Sequence, residues 1–197
     1  MKGKVHTVRR AVGLPPARGL YDPRFEHESC GVGFVCNIKG RASRGIVDDA
    51  KHINCSMDHR GGIGCEPNTG DGAGILTSLP HRLLTRVVRT DIGRSLPEPG
   101  RYGVGNVFLP HDPAERRACK ERIENIVAAQ GQECLGWREL PIDAGRANLG
   151  SAAVASMPHM EQLFIAAGPH FDGERFERRL YVIRKHASRE LRGDERL

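Results

Sequence analysis

The chain has little from which to build a zinc site, a disulfide framework or a membrane span. Its six cysteines, Cys30, Cys36, Cys55, Cys65, Cys119 and Cys134, include no Cys-x-x-Cys pair, and no histidine cluster stands at zinc-finger spacing, so no metal site is expected. No apolar stretch reaches the roughly 18 to 20 residues that a membrane helix needs, and the first 29 residues lack the apolar middle of a secretory signal. The expectation is a cytoplasmic protein, with no membrane partner, whose thiols stay reduced. Aromatic residues make up only 5% of the 197 positions, while glycine and proline number 24 and 12. The core must therefore rest on aliphatic side chains and alanine, within one turn-rich domain of ordinary size.

A net charge of +6 would suit an acidic partner, and a nucleic-acid binder is the obvious candidate. The arginines are interleaved with acids, however, as in Glu115-Arg116-Arg117 and Glu174-Arg175-Phe176-Glu177-Arg178-Arg179. That pattern marks solvated helix faces, so no nucleic-acid partner is expected.

Residues 1–29 mix Lys2, Lys4, Arg9 and Arg10 with Pro15, Pro16 and Pro23 and hold no helical or strand period, which reads as a leader. Alternation of Val32, Phe34 and Cys36 with Gly31, Gly33 and Val35 predicts a buried strand over 31–37. A stripe of Ile46, Val47, Ala50, Ile53 and Met57 predicts a helix that stops before Gly61-Gly62. Further on, strands are expected over 75–79, 102–109, 137–142 and 162–167. Helices are expected after Pro80, with Leu83, Leu84, Val87 and Val88 on one side, and after Asp112-Pro113-Ala114-Glu115, which supplies an N-cap, a proline at N1 and an acid at N3. That helix carries Cys119, Ile123, Ile126 and Val127 inward and ends at Gly131. A last helix aligns Phe176, Leu180, Ile183, Ala187 and Leu191 on one face, and residues 144–155 read as an irregular connection. The mixture indicates an α+β architecture.

Cys30 holds the most chemical information. A lone cysteine at the start of a strand is most often a packing residue. Cleavage before Cys30 would instead give one residue both a thiol and an α-amine, which titrate near about 8.5 and about 7.7 to 8.0 respectively, close enough for the amine to take the thiol's proton. Downstream, the segment from His59 to Gly74 is too rich in glycine for a regular helix, and glycines at that density allow close backbone approach to a ligand or simply make tight turns.

Read together, Cys30-Gly31-Val32-Gly33-Phe34, His59-Arg60-Gly61-Gly62 and Pro67-Asn68-Thr69-Gly70-Asp71-Gly72-Ala73-Gly74-Ile75-Leu76 resemble the amino-terminal glutaminase domain of the glutamate synthase large subunit. Tyr102-Gly103-Val104-Gly105, Val107-Phe108-Leu109-Pro110, Leu135-Gly136-Trp137-Arg138 and Leu180-Tyr181-Val182-Ile183-Arg184-Lys185 look like the same family in the same order. The resemblance implies a class II glutamine amidotransferase with the four-layer αββα sandwich of the N-terminal-nucleophile hydrolases. Residues 1–29 are then a propeptide, residues 30–197 the front portion of the amidotransferase domain, and Cys30 the nucleophile that hydrolyses L-glutamine to glutamate and ammonia. The family as a whole uses FMN and an iron-sulfur cluster for reductive amination of 2-oxoglutarate, with electrons from NADPH, NADH or ferredoxin. Its partners are the remainder of the large subunit and, in some members, a small subunit. No cofactor is expected on this chain itself.

Arg60 is a candidate for shaping the glutamine pocket, or equally for bonding backbone carbonyls. His59 reads better as a helix-end or packing residue, and Asp71 as the brace of its glycine turn. The sequence departs from the family pattern in one respect: it has no Asn-Gly dipeptide, the pair that forms the family's oxyanion hole. It also ends before the Arg and Asp that hold the substrate in that pattern. The expectation is a front fragment or truncated product with weak glutaminase activity. The alternative is a non-catalytic remnant with an interaction or regulatory role.

Overall fold

The computed structural model describes residues 18–19, 31–57 and 72–192. It divides into two compact units, Met1–Ile75 and Leu76–Leu197.

In the first unit the chain turns at Asn37. Its Oδ1 accepts from the Lys39 and Arg41 N–H groups at 3.0 and 3.3 Å, and Gly40, at φ +66°, takes the left-handed position that closes the turn. Ser43 then caps α1 (Arg44–Ser56), its side chain accepting from the Ile46 N–H. Arg44 donates to Asp48 one turn on, at 3.0 Å, and that hydrogen bond holds the Asp48 carboxyl below its ordinary range. The helix predicted from the Ile46–Met57 stripe is therefore present.

Two predicted strands are not. Residues 31–37 and 75–79 have no regular structure, Val32 is 91% and Phe34 88% exposed, and Leu76 is fully exposed. Alternation gives a segment the shape for a pleat, but a strand persists only where a neighbour takes up its N–H and C=O groups. Among the described residues no strand does so for either segment.

The second unit is built on a three-stranded antiparallel sheet in the order β1-β3-β2, comprising β1 (Tyr102–Leu109), β2 (Glu133–Glu139) and β3 (His159–Ala166). Central β3 sorts its side chains by alternation. Leu163 and Ile165 face α3 (Pro113–Ala129) and α5 (Gly173–Arg192), meeting Ile123, Ile126, Val127, Phe176, Ile183 and Ala187. On the other face Phe164 and Ala166 meet Leu84 of α2 (His81–Val87), Val88 of the π-helical turn Val88–Ile92, Tyr102 and Leu135. Phe164 and Phe176 are wholly buried, a contribution of about 2 to 3 kcal/mol each. The predicted α+β class is observed.

The start of α3 follows its sequence signal closely. Asp112 Oδ1 accepts from both Ala114 and Glu115 N–H groups at 2.9 Å, and Pro113 occupies the first turn. Its end is also as expected, with Gly131 at φ +71° just beyond the last turn.

The second strand lies earlier than predicted, at 133–139 instead of 137–142. Its pairing passes from Cys134↔Ile165 to Gly136↔Phe164, so Leu135 is an extra residue in a bulge. An insertion of this kind shifts the two-residue phase on which a pattern reading depends. The bulge needs its glycine: Gly136 has φ +140°, and a β-carbon there would stand 2.7 Å from Ile92 Cγ2. β3 begins three residues before its predicted start. The stretch read as irregular contains a short helix, α4 (Ser151–Ser156).

Candidate functional site

Cys30, His59, Arg60 and Asp71, the residues on which the sequence reading placed or weighed chemistry, lie outside the described residues. What is described is the frame that leads away from Cys30. Gly33, three residues on, approaches α1 so closely that a β-carbon on it would lie 2.5 Å from Ile53 Cγ2 and 3.9 Å from Met57 Cε. Only glycine allows that approach without moving Ile53. Gly33 thus lies against the side of α1 that carries Ile53 and Met57, while its neighbours Val32 and Phe34 are exposed, and the chain then turns at Asn37–Gly40 before entering the same helix. Of the helical stripe read from the sequence, Ile53 and Met57 are the residues that stand beside Gly33.

Four other thiols are described. Cys119 is buried and Cys134 half-buried, while Cys36 and Cys55 are exposed, and none of the four is in a disulfide. Burial, and then the negative charge of Glu124, pushes the Cys134 thiol above its ordinary range, so it stays protonated at neutral pH. The thiolate is the reactive form, so this environment suppresses reactivity.

The second unit holds a charged cluster that the sequence reading missed. Glu161, only 6% exposed on β3, receives Lys120 Nζ from α3 at 2.6 Å and lies 3.2 Å from His159 Nε2. Lys120 also stands 5.0 Å over the Trp137 ring, whose Nε1–H donates to Glu124 at 2.6 Å. A glutamate at an inward position of a strand, in phase with Leu163 and Ile165, was the available signal. The arrangement ties α3 to β2 and β3 and leaves Glu161 with partners on both carboxylate oxygens, which is the condition for burying a charge. Among the described residues no three His, Cys, Asp or Glu side chains are grouped so as to hold a metal, and no helix is long and apolar enough to cross a membrane.

Comparison with known proteins decides the family. Residues 30–196 match the model of the glutamine amidotransferases class-II. The chain belongs to that family. It is 41% identical over 175 residues to the glutamate synthase [NADPH] large chain of Bacillus subtilis (strain 168), covering 88% of this chain and 11% of the relative. To the glutamate synthase [NADH] of Saccharomyces cerevisiae it is 38% identical over 187 residues, covering 90% and 9%. To the ferredoxin-dependent glutamate synthase 2 of a Synechocystis species it is 37% identical over 172 residues, covering 86% and 11%. The chain therefore spans about a tenth of the length of these curated relatives. For a class-II glutamine amidotransferase, the informative detail is that the family match starts at Cys30, the residue singled out by its chemistry.

Proposed function

We propose that this chain is the glutamine-hydrolysing front of a glutamate synthase large subunit acting in the cytoplasm, with Cys30 as its nucleophile once residues 1–29 are removed. The observation that carries this reading is the start of the family match at residue 30. It is supported by the close approach of Gly33, three residues from the thiol, to Ile53 of α1. The finer fold proposed is the αββα sandwich of the N-terminal-nucleophile hydrolases, of which residues 30–197 form the front portion.

The chemistry follows from the two groups on one residue. The free α-amine of Cys30 takes the thiol proton, and the thiolate sulfur attacks the side-chain amide carbon of glutamine to form a tetrahedral adduct. Collapse of that adduct breaks the C–N bond. The amine returns its proton to the departing nitrogen, releasing ammonia and leaving a γ-glutamyl thioester. Water, deprotonated by the same amine, then attacks the thioester carbonyl and frees glutamate and the thiol.

Arg60 is proposed to line the glutamine pocket. The donors that polarise the amide oxygen are proposed to come from polypeptide outside residues 1–197, because the chain has no Asn-Gly pair; loss of oxyanion donors costs on the order of a hundredfold or more. FMN, the iron-sulfur cluster, the reduction of 2-oxoglutarate and any small subunit are assigned to that same remainder. No step above runs through them.

The test is glutamine-dependent ammonia release, measured with N-terminal sequencing of protein made in its native cell. Mature protein should begin at Cys30, Cys30→Ala should abolish release, and residues 1–197 alone should run at least about a hundredfold slower than the polypeptide with its oxyanion donors. Retention of Met1 in active protein, or full activity of Cys30→Ala, overturns the reading and favours a non-catalytic role.

A further inference from the structure

β1 is an edge strand, with only β3 beside it among the described strands. Its hydrogen-bonding phase can be read directly. The Ala167 N–H donates to the Arg101 carbonyl at 2.9 Å, one step beyond the Tyr102↔Ala166 pair. In an antiparallel ladder, bonded and non-bonded residues alternate. Gly103, Gly105, Val107 and Leu109 therefore bond to β3, and Tyr102, Val104, Asn106 and Phe108 turn their N–H and C=O groups away from it. The strand has no charged residue, no proline and no break in register over its eight residues. These are the devices by which proteins ordinarily protect an open edge, and Phe108 is 67% exposed.

The topology says what is missing there. β1 and β2 run parallel to each other with β3 between them, and the crossover that joins them, α3, lies on the same sheet face as α5. Crossovers of this kind share one hand. The chain enters α5 from β3, which runs opposite to β1, so a crossover of the same hand on the same face must step sideways in the opposite sense. The step from β1 to β2 passes over β3; the step from β3 through α5 therefore passes over β1 and arrives at its outer edge.

Local geometry agrees. α5 begins near the Ala166 end of β3 and runs back along the sheet. Leu191, in its last turn, helps to wall an open cavity of about 390 Å³ together with Val107, Phe108, Leu109, Pro110, Cys119 and one charged residue, Glu115. The chain thus leaves α5 beside the far end of β1, next to a largely apolar recess that the first inward side chain of a new strand can fill.

We propose that the outer edge of β1 is the docking site of a fourth strand, supplied by the chain's own polypeptide after α5 and running antiparallel to β1 from Leu109 toward Tyr102. The connection from a helix to a strand ordinarily takes about 2 to 6 residues, and the curated relatives are about ten times longer than the matched segment. The proposal rests on the reading of this chain as part of a longer polypeptide, but not on its glutaminase chemistry, and its test reads no activity.

Amide hydrogen exchange, followed by mass spectrometry, compares residues 1–197 with the polypeptide as its native cell makes it. Peptides covering Val104, Asn106 and Phe108 should exchange at least about 100-fold more slowly in the native polypeptide, while peptides over β2 exchange alike in both. Equal exchange over β1 overturns the proposal, whether because the edge stays open, because another segment or a second copy already covers it in residues 1–197, or because the native product ends at Leu197. Phe108→Pro removes one outward N–H and none that bonds β3. It should leave the melting point of residues 1–197 within about 2 °C while lowering the protection of β1 in the longer polypeptide; equal effects in the two overturn the proposal as well.

Discussion

Gly168 and Gly131 meet backbone to backbone: a β-carbon built on Gly168 would stand 2.1 Å from the Gly131 carbonyl oxygen. Gln132 holds this junction. Its buried amide accepts from the Gly168 N–H at 3.0 Å and donates to the Gln130 carbonyl at 2.8 Å, pinning the turn after α3 to the turn after β3.

Substituting Gly168→Ala should therefore destabilise the fold by about 2 to 3 kcal/mol, since a backbone oxygen cannot move aside as a side-chain tip can. Gly105→Ala, where a β-carbon meets nothing within 4 Å, should change stability by no more than about 0.5 kcal/mol. Urea unfolding of both variants gives the comparison, and equal losses would contradict so close an approach.

The Lys120–Glu161 pair yields a coupling prediction. Lys120→Met leaves a nearly buried carboxylate with only His159 beside it, and a loss of about 2 kcal/mol is expected. Glu161→Gln alone should also destabilise, but the double variant should lose less than the sum, because the second change removes the charge that the first left stranded. A double-mutant cycle reads this directly. Strict additivity would mean that the two side chains do not support each other.

Thiol labelling tests the environment of Cys134. Burial holds its thiol above the ordinary range, so at pH 7.5 iodoacetamide should modify exposed Cys36 and Cys55 well before Cys134. The linkage has a definite sign. The folded state keeps the Cys134 proton at pH values where the unfolded chain loses it, so the unfolded chain binds fewer protons and stability falls as pH rises above the ordinary thiol range of about 8.5. A Cys134→Ala variant should lose that alkaline component, and an unchanged pH profile would count against it.

Close packing at Gly33 gives a functional prediction. Gly33→Ala should displace the segment that follows Cys30 and reduce glutamine hydrolysis by the native polypeptide about tenfold or more. Ile53→Ala removes the methyl group that would clash and should restore activity to the double variant. Failure of that rescue would place the effect somewhere other than the Gly33–Ile53 contact.

Elements whose signals are local were legible in the sequence. The cap at Asp112, the inward stripe Cys119-Ile123-Ile126-Val127 and the Tyr102–Leu109 strand all stand where their residues place them. Elements that depend on a partner were not. Val32, Phe34 and Leu76 alternate or cluster as strand residues do, yet periodicity carries no information about whether a neighbouring strand exists. The phase of β2 was lost at Leu135 for a related reason, because a bulge is a property of the pair. The Glu161 cluster escaped notice because its members come from α3, β2 and β3, far apart in sequence. Of the candidate site, the motif series was enough to propose Cys30, which lies outside the described residues, whereas the close approach of Gly33 to Ile53 required the fold.

The π-helical turn at Val88–Ile92 and the bulge at Leu135 face each other, Ile92 Cγ2 lying over Gly136 and Asp91 accepting from Arg138 Nε at 2.6 Å. Each irregularity is in effect one surplus residue spliced into a regular element. Their lengths are therefore tied: deleting a residue from one alone would leave its partner protruding into a gap, whereas deleting one from each would restore two regular surfaces. Among natural variants of this domain, single-residue length changes in these two segments are expected to occur together.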